Sequence, residues 1–277
     1  MKPGSFDYIG CDSSDEAVAQ LGEFGEDARI LAGGQSLMIL LNMRLTQPRM
    51  LVDISRTREL DYVRIEKERL VVGAAATQMS VERRATLDEE VPLLKSVFPH
   101  ISHFQIRNRG TVCGSIAHAD PSAELPLVLA CLGGEVVLRS QRGRRVVAAD
   151  EFFTGMLQTA RNADELLEEV RFPLRMDGHG YAFDEFAQRH GDFAIVACAA
   201  VVSTKDIRLA IGGVADRPRV ACWPRALVRD AGGQGLAAAL NDFAWSLEAQ
   251  DDAHASAAYR RHLVRALGRR VIEQACA

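Results

Sequence analysis

Arg29-Ile30-Leu31-Ala32-Gly33-Gly34-Gln35-Ser36-Leu37 starts as a short strand and breaks at paired glycines. It then runs into a helical pattern carried by Leu37, Leu40, Leu41 and Leu45. Ser36 stands where a helix cap belongs. A glycine turn at the carboxyl end of a strand brings backbone N–H groups against an anion, phosphate above all. Paired glycines also serve plain tight turns, so the segment by itself leaves both readings open. The run Gly34-Gln35-Ser36-Leu37 favours the anion, because it offers successive backbone donors and a hydroxyl with no lysine required.

Working outward, Ser13 and Glu16 have capping-box spacing ahead of Ala17, Val18, Leu21 and Phe24, which predicts a helix. Leu51-Val52-Asp53-Ile54 reads as another strand, so residues 1–55 make a small α/β unit. From Val63 the pattern turns strand-rich. Hairpins are expected over 63–73 and 135–148, helices over 80–87, 91–101 and 123–132, and a strand over 165–172. Pro173 to Gly180 is the best linker. Beyond it, 181–187, 195–203 and 207–214 suit a three-stranded meander, although 195–202 equally suits a buried helix. The end, 256–275, is helical, and its arginines (Arg260, Arg261, Arg265, Arg269, Arg270) are expected to form a solvated face, with a partner surface as the alternative.

A second glycine segment, Thr111-Val112-Cys113-Gly114-Ser115-Ile116-Ala117-His118-Ala119-Asp120-Pro121, crowds hydroxyls, an imidazole and a carboxylate into ten residues. His118 and Asp120 fit an acid–base pair, metal ligands, hydrogen-bonding groups toward a ligand, or a structural turn. Their spacing of two favours the ligand, since it suits neither one helix face nor a usual zinc site. Glu124, at the start of the next helix, is placed to bond a ribose hydroxyl. Together the two segments point to a nucleotide cofactor.

Composition narrows the field. The 277 residues are 48% hydrophobic and 25% charged with net charge −4, ordinary for a globular protein and unlike the basic footprint of a nucleic-acid binder. The longest apolar stretch, 194–202, is far short of the roughly 20 residues that span a bilayer. The N-terminus lacks the apolar run of a signal peptide, so a cytoplasmic location is expected. Six scattered cysteines argue against a zinc site or an iron–sulfur cluster on this chain and read as free thiols.

The two segments in this order resemble the flavin-binding medium subunit of the molybdenum hydroxylases, the family of the carbon monoxide dehydrogenase medium chain and the xanthine dehydrogenase flavin domain. The family's Ala-Gly-Gly-Gln/His-Ser-Leu is met in full at residues 32–37. Its Thr-x-Gly-Gly-Ser/Asn-x-x-x-Ala-Asp/Ser-Pro-x-x-Asp/Glu is met at 111–124 with one departure, Cys113 for glycine. Weaker similarities at 165–167, 185–194, 212–215 and 259–261 extend the resemblance over nearly the whole chain.

The resemblance implies an α+β fold: a two-subdomain PCMH-type FAD-binding domain over 1–175 (subdomains about 1–55 and 56–175), then a small C-terminal domain over 178–277 with a three-stranded antiparallel sheet and helices. It implies FAD with its pyrophosphate cradled by Ala32, Gly33, Gly34, Gln35, Ser36 and Leu37, and Leu31 among the cofactor-binding residues. Thr111, Gly114, Ser115 and His118 would close from the second motif, with Cys113, Ala117 and Asp120 beside them. Glu124 would take the ribose, Ile101 would lie against a cofactor ring, and Leu167 would line the isoalloxazine. Three readings of Cys113 stand open: a tolerated substitution, a steric tuning of the flavin, or a redox-active thiol, which requires a lowered pKa and access.

The implied function is electron transfer in a heteromeric enzyme. A large molybdopterin subunit would oxidise substrate, a small 2Fe-2S subunit would relay electrons, and FAD here would deliver them to an external acceptor. No Ser-His-Asp, Cys-His or carboxylate-pair arrangement competes with that reading, so no catalytic side chain or metal ligand is expected. Two rivals are a free-standing flavin oxidase, which substrate-dependent flavin reduction by the isolated chain would favour, and an assembly subunit that has lost FAD. The acceptor is open, and the lack of a Gly-x-Gly-x-x-Gly fingerprint disfavours NAD.

Overall fold

The computed structural model describes residues 2–229 and 234–277. The chain begins with β1 (Asp7–Gly10), α1 (Ser14–Phe24), β2 (Ala28–Leu31), α2 (Leu37–Asn42) and β3 (Met50–Asp53). The three strands form a parallel sheet in the order β1-β3-β2. Strand β1 has no clear sequence signal, being four residues with one turned inward. Helix α1 starts where Ser13 Oγ accepts the Glu16 N–H at 3.2 Å. It buries Ala17, Val18 and Leu21 against the sheet. Ser36 precedes α2 without capping it: its backbone is already helical and its hydroxyl makes no cap bond.

Next come β4 (Val63–Glu66) and β5 (Arg69–Gly73), the expected hairpin, then α3 (Gln78–Glu82), α4 (Leu87–Glu90), α5 (Pro92–Val97), α6 (Phe104–Arg107), α7 (Val112–His118) and α8 (Glu124–Leu132). The helices expected over 80–87 and 91–101 are therefore broken into shorter pieces. Pro92 supplies no backbone donor and starts α5, while Pro99 turns the chain into a 3-10 segment at Phe98–His100. Strands β6 (Glu135–Ser140) and β7 (Gly143–Ala148) pair, α9 (Ala149–Phe152) and a small ribbon of β8 (Phe153–Gly155) and β9 (Gln158–Thr159) follow, and β10 (Leu166–Pro173) inserts centrally. The resulting antiparallel sheet has the order β4-β5-β10-β6-β7.

After the connection at 174–179, β11 (Gly180–Phe186), β12 (Val196–Val202), β13 (Asp206–Gly212) and β14 (Arg219–Pro224) form an antiparallel sheet in sequence order. The α+β class holds, but the expected three-stranded sheet has a fourth strand. Its burial pattern is weak and Pro224 ends it, as suits an edge. Helices α10 (Ala226–Arg229), α11 (Gln234–Ser246) and α12 (Ala257–Cys276) complete the described chain.

Strand β12 explains the ambiguity in its sequence. Ala197 and Ala199 face the core shared with α8, while Val196, Cys198, Ala200 and Val202 face α12. A strand buried on both faces loses polar alternation and reads as an unbroken apolar run. Small side chains on one face let α8 approach closely enough for the Cys131 thiol to donate to Ala199 O at 3.3 Å. Leu125, Leu127, Val128 and Leu129 of α8 are fully buried at this junction. Each contributes on the order of 1.5–3 kcal/mol.

Candidate functional site

The first glycine segment forms the turn between β2 and α2, at the carboxyl edge of the parallel sheet, where ligands of open α/β sheets gather. Gly34 has φ +73°, a conformation that a side chain opposes. Gly33 is needed for a different reason. A Cβ there would sit 2.2 Å from Arg109 O and 2.6 Å from Gly110 Cα, so the approach to the second motif leaves no room for one. Met38 N–H bonds back to Gly34 O, and Gln35 Nε2 donates to Gly33 O at 3.0 Å. The N–H groups of Gly34, Gln35, Ser36 and Leu37 have no acceptor among the described residues, which leaves a row of donors at the cleft.

That cleft is a cavity of about 430 Å³ lined by Leu31, Ala32, Gly33, Gly34, Gln35, Met38, Ile39, Asp53, Ser55, Ile106 and Arg109. Five predicted residues, Leu31 to Gln35, line it. Ser36 and Leu37 stand one step behind, at the start of α2. The other six, Met38, Ile39, Asp53, Ser55, Ile106 and Arg109, are not among the expected site residues. Asp53 had a readable signal, an acidic residue ending a parallel strand. It accepts Tyr8 OH and the Ser55 N–H, each at 2.7 Å. Arg109 is the only cation among the described lining residues and stands two residues before the second motif.

The second motif is built as a capped helix. Thr111 Oγ1 accepts the Gly114 N–H at 2.9 Å and starts α7, while Ala119, with φ 52°, ends it. The motif is anchored from behind by the Thr77–Thr111 bridge and by Gln78 N–H donating to Gly110 O at 2.7 Å. Ser115, Ala117 and His118 are half-buried, and burial holds the His118 imidazole below its ordinary pKa. Asp120 accepts the Ser122 N–H at 2.9 Å and so closes the turn into α8.

Cys113 points away from this surface. Its thiol is buried, donates to Val72 O at 3.3 Å in the five-stranded sheet, and is pushed by burial well above the ordinary thiol range. A thiol without access or thiolate character is chemically inert, which favours the tolerated substitution of the three readings.

Ile101, Glu124 and Leu167 are buried outside the cavity lining. Leu167 sits on β10 opposite Leu138. Glu124 is pushed up to about 8 by burial and by the charge of Glu185. Beside it, His100 Nδ1 lies 3.2 Å from Glu185 Oε1, and this bond raises the imidazole. The second Glu185 oxygen is buried without a partner. This cluster joins the start of α8, the 3-10 turn and β11.

Donors that are nearly all backbone, two glycine loops in contact and one arginine suit a pyrophosphate held without lysine. The site therefore fits FAD on its own geometry. Comparison with known proteins agrees. Residues 4–175 match the family described as FAD binding domain in molybdopterin dehydrogenase, and residues 181–275 match CO dehydrogenase flavoprotein C-terminal domain. The chain is 41% identical over 224 residues to caffeine dehydrogenase subunit beta of Pseudomonas sp. (strain CBB1), covering 79% of this chain and 76% of that one. It is 36% identical over 283 residues to 6-hydroxypseudooxynicotine dehydrogenase complex subunit alpha of Paenarthrobacter nicotinovorans, covering 99% and 96%. A solved structure of reconstituted CO dehydrogenase from Oligotropha carboxidovorans superposes with TM-score 0.91 at 32% identity, covering 100% of this chain and 99% of that one. The chain thus belongs to the family of FAD-binding subunits of molybdopterin-dependent oxidoreductases.

Proposed function

We propose that this chain is the electron-transfer subunit of a heteromeric molybdenum hydroxylase, taking electrons from a 2Fe-2S subunit and passing them to an external acceptor. A large molybdopterin subunit would oxidise the substrate. The single observation that carries the reading is the close approach of Gly33 to Arg109 and Gly110, the residues that lead into the second glycine segment, beside a row of backbone donors with no acceptor among the described residues.

Gly34, Gln35, Ser36 and Leu37 would bind the pyrophosphate through their N–H groups, and Arg109, in the cleft lining, would add a positive charge. Thr111 keeps the Gly114 amide fixed by capping α7. Glu124, protonated at neutral pH, would offer the ribose a donor as well as an acceptor. Bound FAD supplies the ability to accept electrons singly and release them in pairs. The working division is a FAD-binding part over 1–175 and a second part over 178–277. Among the described residues no helix is long and apolar enough to cross a membrane, and all six cysteines are unpaired. These two features support placing the complex in the cytoplasm.

Titrating the purified chain with FAD tests the cofactor assignment: bound flavin absorbance at one equivalent per chain is expected, and a colourless saturated protein would overturn it. Isolating the native chain tests the assembly, with a large molybdenum subunit and a small iron–sulfur subunit expected alongside. The orientation of Cys113 disfavours a subunit that has lost FAD through a blocked site.

A further inference from the structure

Helix α12 buries Arg260, Val264, Leu267 and Val271 on one face, so a guanidinium stands in an apolar stripe. Contrary to the solvated face expected of the helix arginines, Arg260 is only 6% exposed. Its partners explain the burial. Nη1 donates to Ile195 O at 2.7 Å and to Gly213 O at 2.6 Å, and Nη2 pairs with Asp252 Oδ2 at 2.5 Å. The other Asp252 oxygen accepts the N–H groups of His254 at 2.8 Å and Ala255 at 2.9 Å. These bonds, led by that of Arg260, hold the Asp252 carboxyl well below its usual range.

Gly213 passes the constraint on. Its own N–H donates to Pro121 O at 2.8 Å, in the last turn of the second glycine motif. It has φ +78°, and a Cβ there would lie 2.8 Å from Ala194 O and 3.0 Å from Ile195 O. The two carbonyls that accept from Arg260 therefore belong to segments already in contact. Without the guanidinium the buried Ile195 carbonyl would be left unsatisfied and the half-buried Gly213 carbonyl would lose its partner, an unfavourable arrangement that loosens the strand ends.

We propose that Arg260, oriented by Asp252, is a positioning residue for the cofactor site: it locks Gly213 so that the Gly213 amide holds Pro121 and fixes the turn 119–124 against the C-terminal sheet. The inference rests on the reading that residues 111–124 hold FAD. A purely structural ion pair would need only Asp252, whereas here two of the three bonds go to carbonyls at the seam. Arginine's planar fork suits three divergent acceptors, and a lysine ammonium at the same Cβ does not reach all of them in one geometry.

The test uses the full-length chain with Arg260→Met, Arg260→Lys and Asp252→Asn, read by FAD titration, visible circular dichroism of bound flavin, and hydrogen exchange of Gly213 and residues 119–124 without FAD. Arg260→Met is expected to weaken FAD about tenfold and to speed exchange at Gly213, Ser122 and Ala123, with Arg260→Lys intermediate. Should Arg260→Met fail to fold, Asp252→Asn carries the test, because it weakens the charged bond that orients the guanidinium: faster exchange at Gly213, Ser122 and Ala123 is expected, and wild-type exchange there would overturn the proposal. Variants that lose thermal stability but keep wild-type FAD affinity and wild-type exchange at 119–124 would overturn the proposal. Failure of the wild-type chain itself to bind FAD would sink the cofactor reading, while the exchange measurements would still decide whether the latch exists.

Discussion

Gly33 and Arg109 touch so closely that a single added carbon at Gly33 would fall 2.2 Å from the Arg109 carbonyl oxygen. The obstruction is backbone on both sides, so neither segment moves without opening the cleft. Gly33→Ala is expected to weaken FAD binding by about tenfold or more, the scale set by overpacking costs of about 1–3 kcal/mol. Gly34→Ala meets only the side chains of Leu31 and Met38 and suffers mainly from its positive φ. It should lower stability by about 1–2 kcal/mol with a smaller effect on affinity. Flavin fluorescence titrations of the two variants check the order, and an equal loss of affinity would count against a contact at Gly33.

Cys113 supplies the second prediction. Cys113→Gly trades a buried thiol for a cavity and a flexible helix position, which should cost about 1–2 kcal/mol in urea unfolding. Because the side chain faces Val72 rather than the cleft, FAD affinity should stay within about twofold, far below the 1.4 kcal/mol that marks a tenfold change. A thiol reagent should titrate the exposed Cys222 in the native protein and reach Cys113 only on unfolding. A glycine variant that binds FAD markedly tighter would show that the thiol intrudes on the site after all.

The two glycine segments were legible because phosphate binding demands short local chemistry, and the hairpins at β4–β5 and β6–β7 because turn residues separate apolar runs. What escaped depends on tertiary partners. Strand β1 is called into being by pairing with β3, not by its own pattern. Helix α11 carries a legible signal in Leu236, Leu240 and Ala244, which stand at helical spacing. Arg260 was misjudged because an arginine on a helix is ordinarily solvated, and only contact with Ile195, Gly213 and Asp252 makes burial tolerable. Ile106 joined the cavity through a fold contact that no local spacing announces.

The Glu124 carboxyl gives a pH signature. Folding raises it from 4.5 to about 8, so across that window the folded chain holds a proton that the unfolded chain has released. Stability from this group is therefore present at low pH and falls as pH rises toward 8, with a slope of at most about 1.4 kcal/mol per pH unit. His100, raised by its bond to Glu185, adds a loss of the same sign above its ordinary value. Glu124→Gln should flatten the decline between pH 5 and about 8 while leaving the histidine part. Urea midpoints at several pH values decide the matter, and parallel curves for the two proteins would refute it.

Arg107 holds the loop that carries Ile101. It donates to Ile101 O at 2.7 Å and Ser102 O at 3.3 Å, and it grips Glu82 through Nε at 2.8 Å and Nη2 at 3.2 Å. Ser102 has φ 44°, an unfavourable conformation for serine that these bonds help to maintain. Arg107→Met removes all four bonds and leaves a mostly buried carboxylate unpaired, so a loss of about 2–4 kcal/mol is expected. Glu82→Gln should cost less, since the carbonyl bonds survive. The pair in a double-mutant cycle should couple by about 1–3 kcal/mol. If Ile101 meets a cofactor ring, Arg107→Lys should also shift the flavin absorbance band, because an ammonium cannot serve the carbonyls and the carboxylate together. Coupling near zero would mean that the guanidinium serves the loop alone and that Glu82 is incidental.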